Sequence, residues 1–192
     1  MCPRSKEKYE EIRKIKRDLI LKAALELFAE NGFHNTTINS IAQKTSISNG
    51  LLYNYFESKE DLLKKIVSKG ITEIITSFGN NKNDILTKDE FAHYIKENFN
   101  IIKNNLKFWK LYIAIIIQPP VLKIVKDEIL NLSSPILKKL NNYFTTQGVK
   151  NPVAETKLFS SIMDGVSINY VIDSENFPLE DVINLIILKF CY

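Results

Sequence analysis

Apolar side chains recur along this chain every three or four residues and almost nowhere every two, so the pattern reads as helix throughout. From Ile12 the series Ile15, Leu19, Ile20, Ala23, Ala24, Leu27 and Phe28 marks one face of a first helix, closed by Asn31-Gly32. Thr36-Thr37 offers an N-cap for a short helix whose Ile38, Ile41 and Ala42 face inward. After the polar break Thr45-Ser46-Ile47, Ser48 caps a second short helix over 49–56. Ser58, with Asp61 three residues on, starts a fourth over 58–77. The run 79–84 (Gly-Asn-Asn-Lys-Asn-Asp) reads as the clearest interior linker.

Beyond it, Thr87 and Glu90 form a capping box for a helix ending near Lys103. Asn104-Asn105 separates that helix from 107–118, which Pro119-Pro120 stops. A helix over 121–131 is kinked or restarted by Ser133-Ser134-Pro135 and ends at Gln147-Gly148. Asn151-Pro152 starts the next, with Pro at its first position, and Asn176-Phe177-Pro178 starts the last. No strand pair, repeat or glycine-rich phosphate loop is present in the sequence. The expected fold is all-α with about nine helices: an N-terminal tri-helical domain and a larger C-terminal helical domain.

The helices over 37–44 and 48–56, three or four residues apart, have the dimensions of a helix-turn-helix. Thr37 exposes backbone N–H groups that suit a phosphate. The second helix is held by Leu52 and Phe56. Its remaining positions, Asn49, Gly50, Leu51, Tyr53, Asn54 and Tyr55, suit a DNA groove. Amides serve adenine or phosphate, phenols serve phosphate, Gly50 permits close approach, and Leu51 meets a thymine methyl. Tyr53 and Tyr55 have the alternative of packing inside the small domain. From 36 to 56 the only charged residue is Lys44, so no acid repels a phosphate backbone.

Residues 13–63 resemble the N-terminal domain of the TetR family of transcriptional regulators. The resemblance rests on Ile20, Ala23, Ala24, Leu27-Phe28, Gly32-Phe33, Thr36-Thr37, Ile41-Ala42, Ser48, Gly50, Leu52-Tyr53, Tyr55-Phe56 and Ser58-Lys59-Glu60-Asp61-Leu62. It implies a dimeric DNA-binding regulator, usually a repressor, with a C-terminal ligand pocket and dimer interface. Carried over, Thr37, Ser48, Tyr53, Tyr55 and Lys59 are phosphate anchors, while Asn49, Gly50, Leu51 and Asn54 approach base edges or backbone. Family members commonly have Gly where this chain has Ser46, and often Lys and Thr at Asn49 and Leu51. The implied organisation is an arm over 1–12, a DNA-binding domain over 13–60 with its motif at 37–56, and an effector and dimerisation domain over 61–192.

Charge sharpens this division. The 192 residues carry 26 Lys+Arg against 22 Asp+Glu. The whole excess of +4 lies in residues 1–69, where a basic arm (Arg4, Lys6, Lys8, Arg13, Lys14, Lys16, Arg17) is diluted by Glu7, Glu10 and Glu11. A solvated helical extension is expected there. The longest apolar run, 111–117, is too short for a membrane span, and 1–17 lacks the apolar core of a secretory signal. Cys2 and Cys191 offer no disulfide framework and read as free thiols at flexible ends, so a cytoplasmic location is expected.

The C-terminal part carries two further expectations. The helix over 151–173 is apolar on more than one face and the last helix nearly all round, which predicts a two-fold four-helix interface using Leu158, Ile162, Gly165, Val182, Leu185 and Ile186. Aromatics with sparse polar groups on the middle helices suit a small lipophilic effector, with Trp109, Tyr112, Met163 and Tyr170 the first candidates. Phe91, Tyr94, Asn98, Phe99, Phe108, Gln118 and Phe159 share that pattern. Ordinary core packing is the alternative for each.

Catalysis has no support. The only histidines, His34 and His93, form no ligand pair, and there is no nucleophile elbow or Walker loop. No metal site and no cofactor are expected. An effector-independent helix-turn-helix protein, whose C-terminal part only dimerises, is the rival to a ligand-responsive one.

Overall fold

The computed structural model describes residues 6–76 and 86–191. Cys2, Arg4 and the expected linker 79–84 lie outside the described residues. Nine helices and no strand are found among those described: α1 (Lys6–Asn31), α2 (Ile38–Lys44), α3 (Asn49–Tyr53), α4 (Lys59–Thr76), α5 (Lys88–Asn104), α6 (Leu106–Ile116), α7 (Pro119–Thr146), α8 (Pro152–Ile172) and α9 (Leu179–Phe190). None is by itself long and apolar enough to cross a membrane.

Local chemistry sets most of the boundaries. Thr87 accepts from the Glu90 backbone N–H at 3.2 Å, and the Glu90 carboxylate accepts from the Thr87 N–H at 2.8 Å. This reciprocal pair starts α5. Asn151 caps α8 through the Ala154 N–H at 3.1 Å, with Pro152 supplying the preset φ of a first helical residue.

The first helix starts at Lys6, so residues 6–12 open it as the helical extension expected, exposed over 7–11. The segment Lys-Glu-Lys-Tyr-Glu-Glu-Ile is rich in good helix formers, which carries the helix outward without an apolar core beneath it. Of the two expectations at Ser133-Ser134-Pro135, a kink or a restart, the restart is not found, because Pro135 lies inside the continuous α7. The neighbouring Ser133 hydroxyl donates to the Ile129 carbonyl at 2.6 Å, a local bond of the kind that accompanies such a site.

The chain divides into two compact units. One runs through Ser68 and takes in Ala114–Lys126; the other comprises Lys69–Ile113 and Asp127–Tyr192. In the first unit Ile20, Ala24, Phe28, Ile41, Ala42, Leu52, Phe56, Leu62, Leu63, Ile66 and Val67 are buried, together with Ile115, Val121 and Val125 from the inserted segment. The second unit is centred on edge-to-face aromatic packing. Phe91 lies 4.7 Å from Tyr143 and 4.9 Å from Phe159, and Phe159 lies 5.3 Å from Phe190.

Cys191 also differs from the flexible thiol expected. It is buried at the end of α9 as a free cysteine, and burial pushes its thiol up to about 11. A thiol so raised carries almost no thiolate at neutral pH and is chemically quiet.

Candidate nucleic-acid interface

The N-terminal unit builds its helix-turn-helix from short, heavily capped pieces. Thr37 has an extended backbone and accepts from the Ser40 N–H at 3.0 Å, while the Ser40 hydroxyl oxygen accepts from the Thr37 N–H at 3.2 Å. At the other end of α2, Ser46 stands in the left-handed region at φ 54. The Ile47 N–H returns to the Ala42 carbonyl at 3.0 Å and the Ser46 N–H to Gln43 at 3.1 Å. This is the helix stop usually made by glycine, and the Ser46 side chain makes it costlier.

The buried Thr45 hydroxyl bonds the Ile41 carbonyl at 2.9 Å, tightening the turn. Lys44 pairs with Glu26 of α1 at 3.0 Å, which removes the one charge in the motif from the reading surface.

Ser48 then caps α3 through the Leu51 N–H at 3.1 Å. A five-residue helix is unstable alone. It is anchored by Leu52 and by Phe56, both fully buried. Anchoring one face leaves the other outward: Asn49, Gly50, Tyr53 and Asn54 are exposed, and Leu51 is half-buried. A Cβ added at Gly50 would meet nothing, so Gly50 is left open on that side. Tyr53 is 53% exposed and its phenol stands clear of the core. Tyr55 is half-buried, with the Arg13 guanidinium 6.0 Å from its ring, and Arg17 lies 5.6 Å from the Phe56 ring. These two arginines of α1 therefore stand beside α3, a placement that periodicity alone did not disclose.

Lys59, expected as a phosphate anchor, makes several bonds within the protein. Its ammonium donates to the carbonyls of Phe33 at 2.9 Å, His34 at 3.3 Å and Thr36 at 2.8 Å, and it lies 4.6 Å from the Phe33 ring. Three donors are committed to three acceptors, so Lys59 fastens the loop before α2. A phosphate contact would have to compete with those bonds.

In the C-terminal unit all four expected effector residues, Trp109, Tyr112, Met163 and Tyr170, are buried. Trp109 packs edge-on against Tyr112 at 5.2 Å, and its buried indole N–H has no hydrogen-bond acceptor among the described residues. Phe91 and Phe159 belong to the aromatic core described above, Asn98 is buried and hydrogen-bonds Tyr94, and Phe108 is stacked on Tyr112 at 5.7 Å. Three residues missed in the sequence meet Tyr112. Its ring comes close against Gly70 of α4, where an added Cβ would lie 2.5 Å from it. The carboxylates of Glu73 and Asp164 act on its phenol, which burial foremost pushes far above its ordinary value. Burial also raises both carboxyls; Asp164 keeps an exposed edge yet is surrounded closely enough to be desolvated. Only the tertiary packing brings these residues from α4, α6 and α8 together.

The expected interface residues divide. Leu158 and Leu185 are exposed, Ile162 and Val182 are half-buried, and Gly165 is open, with nothing within reach of an added Cβ. Ile186, expected to face a partner, is instead buried beside Ile183 and Phe190, because the inner face of α9 needs it for the chain's own core. Ile172 and Leu188, 73% and 80% exposed, extend the open apolar stripe beyond the residues expected.

Comparison with known proteins agrees with the geometry. Residues 20–66 match the family described as bacterial regulatory proteins, tetR family. The fatty acid metabolism regulator protein of Bacillus subtilis is 30% identical over 84 residues, covering 43% of each chain. The aligned segment thus spans less than half of that curated relative.

Two solved structures share the fold over almost the full length. NalD of Pseudomonas aeruginosa, the secondary repressor of the MexAB-OprM multidrug efflux pump, superposes with a TM-score of 0.72 at 14% identity, covering 94% of this chain and 95% of that one. FadR of Bacillus subtilis, a transcriptional regulator solved with stearoyl-CoA, gives 0.66 at 18% identity, covering 90% and 96%. The match over residues 20–66 makes this N-terminal segment similar to the tetR family of bacterial regulatory proteins, and the solved structures share the fold along nearly the whole chain.

Proposed function

We propose that the protein is a ligand-responsive repressor that binds a palindromic operator as a homodimer. The observation that carries the DNA-binding half is α3. Asn49, Gly50, Tyr53 and Asn54 stand outward on a helix fixed from behind by Leu52 and Phe56, with no acid from 36 to 56. Asn49, Gly50, Leu51 and Asn54 read bases or approach backbone, while Thr37, Ser48, Tyr53 and Tyr55 meet phosphates. Lys59 acts there through the loop it fastens.

The dimer is supported by the exposed stripe of Leu158, Ile168, Ile172, Leu185 and Leu188 on α8 and α9, which a second copy would cover. Two-fold symmetry then puts two recognition helices about one DNA turn apart, roughly 34 Å. The functional domains are an arm at 1–12, a DNA-binding domain at 13–60, and an effector and dimerisation domain at 61–192. The effector is a small lipophilic molecule held near Trp109, Tyr112, Met163 and Tyr170; the stearoyl-CoA bound by the B. subtilis FadR illustrates such chemistry in a protein of the same fold. Its binding shifts α4, on which Tyr112 rests at Gly70. The protein works in the cytoplasm.

Selection of genomic fragments with the purified protein, followed by footprinting, tests this reading. A recovered inverted repeat protected on one face of the helix is the expected result. Failure to enrich any sequence overturns operator binding, and unchanged operator affinity with every compound that binds overturns ligand response.

A further inference from the structure

Among the described residues three helix ends pass through a residue with positive φ: Gly32 after α1, Ser46 after α2 and Gly148 after α7. At two of them the chain closes on itself in the same way. The N–H one residue after the left-handed position bonds the carbonyl four residues before it, Ile47 to Ala42 at 3.0 Å and Val149 to Phe144 at 3.1 Å. This is the long bond of the Schellman stop. By the same count the end of α1 should close from the Phe33 N–H to the Phe28 carbonyl. There a side chain from a distant part of the sequence stands between the two groups. The Gln118 Oε1 accepts from the Phe33 N–H at 3.2 Å, and its Nε2 donates to the Phe28 carbonyl at 3.3 Å and to the Ala114 carbonyl at 3.1 Å. One carboxamide has been interposed in a bond the backbone could make alone.

The place and the source of this amide both matter. The loop it holds, 32–36, leads directly to Thr37, the cap of α2, and is fastened elsewhere by the Thr36 hydroxyl to Leu27 and by Lys59. Gln118 comes from the α6–α7 corner, within the Ala114–Lys126 segment that folds with the N-terminal unit. The helices on either side of that corner continue into the C-terminal unit. The structure holds the arrangement with the amide inserted; closed on itself as at the ends of α2 and α7, the loop would be satisfied in a second way. Both leave the Phe33 N–H and the Phe28 carbonyl bonded, so exchange between them strands no buried polar group. An element with two discrete, satisfied states is what coupling between distant sites requires.

We infer that Gln118 is the positioning residue through which the state of the C-terminal unit reaches the DNA-reading helices: withdrawal of the α6–α7 corner extracts the amide, the end of α1 closes on itself, and the loop before Thr37 is reset. The inference rests on the ligand-responsive reading above and adds a second route beside α4.

Coupling is reciprocal, so operator binding must be felt in the C-terminal unit, and it can be read without knowing the effector. Trp109 is the chain's one tryptophan and lies in that unit, so protein made with 5-fluorotryptophan gives a single fluorine resonance. In wild-type protein the resonance shifts when the operator fragment recovered by genomic selection is added. In Gln118→Leu the protein stays folded and still binds that fragment, while the shift falls below roughly a quarter of its wild-type size. The Phe33 amide remains protected from exchange in the variant, because the Phe28 carbonyl takes it directly. A full wild-type shift in Gln118→Leu overturns the inference alone. No shift in the wild type overturns the ligand-responsive reading with it. A Gln118→Leu protein that fails to fold, or whose Phe33 amide exchanges freely, shows that the loop has no second arrangement and overturns the inference as well.

Discussion

The two units of this protein are stabilised by different chemistry. In the N-terminal unit the short helices α2 and α3 and the loop before them are secured by named polar groups: Thr37 and Ser40, Thr45, Ser48, Lys59 and Gln118. The C-terminal unit is joined by aromatic packing around Phe91, Tyr143, Phe144, Phe159 and Phe190. A surface that must read DNA needs backbone placed to a fraction of an ångström, and directional hydrogen bonds supply that. A core joined through aromatic faces is specified by shape, which many aromatic arrangements satisfy.

This contrast can be broken most severely at the cores. Phe28→Ala, at a fully buried site, should destabilise the N-terminal unit by about 3–5 kcal/mol, seen as loss of a cooperative melting transition. If the melt is unchanged, the small unit is not held by its core in the way described. Next in size is assembly. Leu185→Asp combined with Leu188→Asp should give a monomer by sedimentation and weaken operator binding roughly a hundredfold, with helicity retained. A variant that remains dimeric would move the interface off α9.

Smaller effects test the fixtures themselves. Lys59→Ala removes three charge-assisted bonds and should lower stability by about 1–3 kcal/mol. Tyr53→Phe should leave the melting point alone and weaken all DNA equally, whereas Asn54→Ala should change base preference at one position by about 1–3 kcal/mol. A Lys59 variant with wild-type stability and weakened DNA binding would return Lys59 to the phosphate role. Ser46→Gly should stabilise by about 1 kcal/mol, because the left-handed backbone at φ 54 penalises a Cβ.

The smallest expected effect is electrostatic and belongs to the other unit. The Asp164 carboxyl is raised by desolvation, so folding favours its protonated form. Its charge opposes folding above the raised pKa, and the opposition fades as the pH falls into the ordinary carboxylate range. Asp164→Asn should therefore melt slightly higher than wild type at neutral pH and match it in acid. A gain that persists in acid would have another cause.

The sequence by itself determined the local part of this protein. Period and capping residues marked all nine helices, and the spacing of Thr37, Ser48, Leu52 and Phe56 disclosed a helix-turn-helix, because caps and short amphipathic faces are encoded within a few residues of where they act. The restart offered as one alternative at Pro135 is absent for a related reason: the flanking turns of α7 carry the helix through a residue that would end a weaker one. What tertiary structure alone decided is wherever distant segments meet. Lys59 reaches three carbonyls more than twenty residues away, Gln118 enters the end of α1 from 85 residues on, and Tyr112 finds the bare face of Gly70. Such contacts leave no period and no neighbouring signature in the chain, since each depends on shape and on a hydrogen-bond partner that only the folded arrangement supplies.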